Sequence, residues 1–183
     1  MCNFRLLVSC YICKVYLDET STIELEEKMD NQDEIRYLDD LHIGERFLTG
    51  THELDANQII EFAKQFDPQP FHLDDNAAQL TLFGGLAASG WHTAAITMQL
   101  QVTGPMRIAE GMIGAGVELS WPTPTRPGDV LQAESEIEDI RISKSRPDRG
   151  IVTVRTITRN QRGDILQDTR AKLIVPCRPI LKK

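Results

Sequence analysis

The sequence of 183 residues predicts an α+β fold. Three observations carry that expectation. Segments with helical spacing lie in the first half of the chain, four strand-like runs follow without a further helix, and one helical segment is apolar on nearly all sides. The segment "ERFLTGTHEL" comes first and mixes apolar and polar residues as a half-exposed strand does. Asp55 then stands where it can cap a helix, "ANQIIEFAKQF". Within it Ile59, Ile60, Phe62, Ala63 and Phe66 recur near helical spacing and give one apolar face. That helix ends by Phe66, because Pro68 follows and pushes its predecessor toward extended geometry.

The next stretch, "FDPQPFHLDD", is the most constrained in the chain. Pro68 and Pro70 fix their own φ angles and remove two amide donors, so the run is not expected to be regular helix. Stiffness of this kind suits a loop that aims two titratable side chains, Asp67 and His72, at one point. From about Ser89 to Val102 the residues are nearly all apolar or small, opened by Trp91 and His92 and closed by Gly104-Pro105. This predicts a helix buried on nearly all sides, with Trp91 and Met98 in the core, and too short for a membrane span. Four runs then read as strands: "IGAGVELSW", "DVLQAESEIEDIRISKSR", "GIVTVRTITRN" and "DILQDTRAKLIV". Turn signals separate them, and Arg162-Gly163 marks a hairpin. An antiparallel sheet with one polar face needs its other face covered, and the apolar helix is the natural cover.

Composition narrows the partners. A net charge of −7 gives no basic footprint for nucleic acid and argues against an anionic membrane surface. Hydrophobic content of 41% and charged content of 26% are ordinary for a globular protein, and the length suits one domain. Cys2, Cys10 and Cys13 crowd the start and Cys177 stands near the end. Cys10-x-x-Cys13 has no second pair, so free thiols in a reducing cytoplasm are expected rather than a metal or redox site. The "HLDD" run lacks a second cluster of ligands, and no metal is expected there. The apolar stretch at the start is interrupted by Lys14 and shows no small-residue cleavage site, so it does not read as a signal peptide. Residues 1–28 are expected to form an extension outside the core, with a single domain over 29–183.

The run Asp67-Pro68-Gln69-Pro70-Phe71-His72, followed by Leu73-Asp74, resembles the hydratase motif of the MaoC-like dehydratases and (R)-specific enoyl-CoA hydratases. That motif reads Asp-x-Asn-Pro-aliphatic-His. Eighteen residues beyond the histidine, where the family has His-Gly at the start of its central helix, this chain has Ser89-Gly90. Downstream, "VELSWPTPTRPGDVLQAESEI" is similar to the family's strand, Pro-rich turn and Gly-Asp strand start. The likeness spans roughly residues 37–176. It implies a hotdog fold, a curved antiparallel sheet wrapped around a long central helix. It also implies at least a dimer, with two sheets joined edge to edge, which would cover an exposed edge strand. The sequence departs from the family at four places. Gln69 replaces Asn, Phe71 an aliphatic residue, Gln65-Phe66 a Ser-Gly pair, and Ser89 the histidine.

The implied reaction interconverts a trans-2-enoyl-CoA and an (R)-3-hydroxyacyl-CoA. Water must lose a proton as it attacks Cβ, a proton must reach Cα, and charge on the thioester oxygen must be stabilised. The resemblance assigns the proton transfers to Asp67 and His72, without deciding which is the base. It assigns the oxyanion donor to Gly90, at a helix N-terminus where the dipole favours negative charge. A donor of this kind is typically worth about 2.7–4 kcal/mol of barrier. Gln69, Phe71 and Ser89 would line the substrate pocket. His92, two residues past Gly90, could face that pocket or be a packed or capping histidine. His42 and His52 read as structural. Arg146, in "SKSRPDRG", could contact the phosphates of coenzyme A or belong to a solvated turn. No metal or organic cofactor is expected, since coenzyme A enters as part of the substrate. Three other readings stay open: a hotdog thioesterase, a dehydratase acting on acyl carrier protein, and a non-catalytic acyl-thioester-binding protein.

Overall fold

The structure, a computed structural model, describes residues 34–179; the expected extension over residues 1–28 lies outside them. Strand β1 (Arg46–Leu54) leads into helix α1 (Ala56–Phe66). Asp55 caps α1 as expected, its carboxylate accepting the Gln58 N–H at 2.9 Å. Ile59 and Ala63 are the residues of α1 that become fully buried.

The proline-rich run departs from expectation. Pro70–Leu73 forms a single helical turn, α2, and Asp75–Gln79 a second, α3. Pro70 occupies the first helical position, where the missing N–H would have no partner anyway and a fixed φ is already helical. Asp74 caps α3 by accepting the Ala77 N–H at 2.8 Å. Helix α4 (Gly90–Val102) follows, capped by Ser89, whose Oγ accepts the Trp91 N–H at 3.2 Å.

Strands β2 (Ile113–Ser120), β3 (Asp129–Ile142), β4 (Arg149–Arg159) and β5 (Ile165–Pro176) complete the fold. With β1 they form one antiparallel sheet in the order β1-β3-β4-β5-β2. Register shifts interrupt all four pairings, as between Ile137 and Asp139, and such bulges bend and twist a sheet. Burial alternates along β3 and β4, so one face of the sheet is covered. Helix α4 packs against β1, β3 and β5. Leu54, Ile59, Leu86, Ala88, Ile96, Leu100, Leu131 and Leu166 form the cluster that joins α1 and α4 to the sheet. Each fully buried Leu or Ile there contributes about 1.5–3 kcal/mol. This is the α+β hotdog arrangement that the sequence led us to expect.

Helix α4 is not buried on all sides. Trp91 is 61% exposed and Met98 48%, so neither belongs to the core. Its covered side is partly polar instead. Thr93 Oγ1 pairs with Thr125 Oγ1 and Thr97 Oγ1 with Thr158 Oγ1, both at 2.8 Å. Gln101 donates to Thr156 Oγ1 at 2.9 Å and to Ser135 Oγ at 3.2 Å. These residues recur every fourth position, which places them on one side of the helix. Among the described residues, no helix is long and apolar enough to cross a membrane.

Candidate active site

The end of α1 and the turn α2 bring Asp67 and His72 together. Asp67 closes α1, its N–H reaching the Ala63 carbonyl at 2.9 Å. Its carbonyl then accepts the Gln69 N–H at 2.7 Å, and the Gln69 carbonyl accepts the His72 N–H at 2.9 Å. The two prolines leave this short path little freedom to rearrange.

His72 is buried, with Nδ1 2.7 Å from the Ala87 carbonyl oxygen. A carbonyl only accepts, so Nδ1 carries the proton and neutral His72 presents the Nε2 lone pair. That Nε2 lies 3.4 Å from Asp67 Oδ2. The other carboxylate oxygen, Oδ1, accepts the Gln69 side-chain amide at 2.7 Å. Burial pushes the Asp67 pKa up, but hydrogen bonding from Ser89 and Gln69 pulls it down further, as does the charge of His72 whenever that ring is protonated. The carboxyl ends below its usual value and stays ionised. With His72 neutral, the pair consists of two acceptors converging on one point.

Gly90 opens α4 beside them. The Trp91 N–H goes to Ser89 Oγ, and the His92 and Thr93 N–H groups go to the Ser89 carbonyl. Of these first four helical N–H groups, that of Gly90 is left without a protein acceptor among the described residues. Asp67, His72 and Gly90 line one cleft of about 480 Å3, a size usual for small-molecule sites. Phe71 and Phe83 form one wall, ring centroids 4.9 Å apart. Trp121 forms another. A Cβ on Gly90 would stand 2.7 Å from the Trp121 ring, so only glycine fits under it.

Six of the eight site residues expected from sequence meet in this cleft: Asp67, Gln69, Phe71, His72, Ser89 and Gly90. His92 does not. Two residues turn a helix by about 200°, which carries its ring to the side away from Gly90. It stacks on Phe62 at 4.4 Å and lines a separate groove with His52. Burial, with a smaller contribution from His52, pushes its pKa down to about 4, so it is neutral at pH 7. Arg146 does not reach the cleft either. It lies exposed in the β3–β4 turn, its N–H bonded to Ser143 Oγ at 3.2 Å.

Sequence reasoning passed over Trp121, Phe83 and Arg126. Arg126 donates to the carbonyls of Phe83, Gly85 (2.6 Å) and Leu86 (3.1 Å), fixing the loop that carries Phe83 into the cleft. Gly84 and Gly85 adopt positive φ there, 61° and 152°. The signal for Arg126 was its place in "PTRPGD", a turn already marked as similar to the family's. No group of three or more potential metal ligands occurs among the described residues.

Comparisons with known proteins bear on the family and the fold. A family model described as "MaoC like domain" matches residues 39–160. The chain is 57% identical to the MaoC-like dehydratase from Rhodospirillum rubrum. That crystal structure aligns over 79% of this chain and 99% of its own, with a TM-score of 0.78. It is 27% identical to an (R)-hydratase from A. caviae involved in PHA biosynthesis, over 74% of this chain and 98% of that one, with a TM-score of 0.60. It is also 36% identical to the uncharacterized protein YdeM of Bacillus subtilis (strain 168), over 68% of this chain and 88% of the relative.

Proposed function

The chain belongs to the MaoC-like dehydratase family, and from that premise we propose that it hydrates a trans-2-enoyl-CoA, or dehydrates the (R)-3-hydroxyacyl-CoA. One observation carries the reading. Two acceptors, Asp67 Oδ2 and His72 Nε2, stand 3.4 Å apart in the same cleft as the unpartnered N–H of Gly90. A molecule that donates two hydrogens to such a pair is water. With the thioester oxygen on the Gly90 N–H, the α4 dipole and that donor stabilise the enolate-like charge. The water oxygen bonds to Cβ as one of the pair takes its proton. Both members begin as acceptors, so the proton removed from water is the one returned to Cα, directly or across the 3.4 Å gap. The sum is addition of H and OH across the double bond, with no other reagent.

On this reading Gln69 and Ser89 act on Asp67, Phe71 packs against the acyl portion, and no metal or organic cofactor takes part. The protein works in the cytoplasm as a homodimer. Among the described strands β2 is an outer one paired only with β5, and it exposes Ile113 and Val117, the latter lining one apolar space with the exposed Met98 of α4. A second copy added edge to edge along β2 would cover that apolar face and roof the space between α4 and β2.

The test is hydration of crotonyl-CoA, followed as loss of enoyl absorbance. Asp67→Asn and His72→Ala are each expected to lower kcat/KM by about 10²–10⁴-fold. Variants as active as the parent would overturn the assignment. Release of free thiol without loss of the enoyl band would favour a thioesterase, and tight binding without turnover a non-catalytic acyl-thioester-binding protein.

A further inference from the structure

Trp121 stands just past the end of β2 and lies so close against Gly90 that a Cβ there would come within 2.7 Å of its ring. Two contacts hold the ring. Its edge meets Trp91 at a centroid distance of 5.4 Å and an angle of 80°. Its Nε1–H donates to Gln167 Oε1 at 3.1 Å, and Gln167 is itself only 2% exposed. A buried amide has few alternative partners, so this bond fixes the indole strongly.

Two spaces lie beside the Trp91–Trp121 pair. One is the cleft with Asp67, His72 and Gly90. The other, about 520 Å3, lies between α4, β2 and β5 and is lined mainly by apolar atoms, with Ala94, Met98, Val117 and Leu119 among its walls. Trp91 borders both; Trp121 borders the first and Gln167 the second. The indole, which lines the reaction cleft and is tethered to a residue that lines the apolar chamber, therefore stands between the two.

We propose that Trp121, held by Gln167, is a partition that determines acyl-chain length. With the ring in place the cleft takes a short enoyl chain. A longer chain continues past Cβ into the apolar chamber only when the indole moves aside. This rests on the hydratase reading of the same cleft and adds its substrate class, short-chain enoyl-CoA thioesters.

The experiment compares kcat/KM for crotonyl-CoA and trans-2-octenoyl-CoA in the wild type, Trp121→Ala and Gln167→Leu, with thermal melts confirming the fold of each. The wild type is expected to favour the four-carbon substrate by roughly tenfold or more, a discrimination that pocket shape alone can supply. Trp121→Ala should raise the eight-to-four-carbon ratio by about tenfold, mainly through a lower KM for the longer chain. Gln167→Leu keeps the ring and cuts only its tether, and should move the ratio the same way by about threefold. A wild type that hydrates both chains equally overturns the partition, and so does an unchanged ratio in Trp121→Ala. If the alanine variant does not fold, an unchanged ratio in Gln167→Leu is decisive against it. A wild type that hydrates neither substrate fails at the earlier step, the hydratase reading itself, and the partition falls with it.

Discussion

Asp67 holds an ionised carboxylate in a partly buried place, where burial alone would favour the neutral acid. Ser89 and Gln69 reverse that outcome by hydrogen bonding to the charged form. Because the folded pKa is depressed, the carboxylate favours the folded state above its ordinary pKa of 3.8, and that contribution is lost as pH falls through the lower folded value. The same sign governs catalysis. The Asp67 step of the kcat/KM profile should lie below the usual carboxylate range, and Gln69→Leu or Ser89→Ala should move that step to higher pH. A profile in which no low-pH step moves in either variant would detach Asp67 from the acid side of the profile. Asp67 and His72 were legible in the sequence because two prolines and a fixed offset to Gly90 surround them. The direction in which His92 faces was not, since it depends on how α4 is rotated against α1.

At the scale of elements, the loop that follows α3 is an instructive case. It forms the Phe83 wall of the cleft because Arg126 gathers three of its carbonyls. Arg126 is more than 40 residues away in sequence, and no local pattern announces the contact. Replacing it with Met leaves those carbonyls without their donor and should destabilise the fold by about 1–3 kcal/mol in urea unfolding. It should also lower kcat/KM for crotonyl-CoA. Unchanged stability would mean that the loop holds itself. Helix α4 teaches a related lesson. Its composition reads as apolar throughout, but Thr93, Thr97 and Gln101 face the sheet while Trp91, Met98 and Val102 stand exposed. Helical spacing identified the element, but composition did not identify its buried face.

For the whole molecule, the exposed side of α4 and the outer strand β2 form one continuous question of partnership. Val117 is 62% exposed on a strand whose far edge has no paired neighbour among the described strands. If two copies join there, Val117→Lys places like charges at the joint and should convert a dimer of 20.6 kDa chains to monomer on size exclusion. The wild type should also show a melting temperature that rises with protein concentration. A wild type that elutes as monomer, with a concentration-independent melt, would exclude the edge-to-edge dimer.

The sequence by itself determined the order of the main elements, the Asp55 cap, the antiparallel sheet and the presence of an Asp/His pair ahead of a helix-start glycine. Each is set by local backbone restrictions or by spacing along the chain, which are written into neighbouring residues. The tertiary structure alone decided which acceptors His72 and Asp67 present to each other, which side of α4 is covered, and that an indole from beyond β2 lies on Gly90 with Gln167 behind it. Those depend on side chains that meet across dozens of residues, where the free energy of a contact is fixed by packing and has no trace in either local segment.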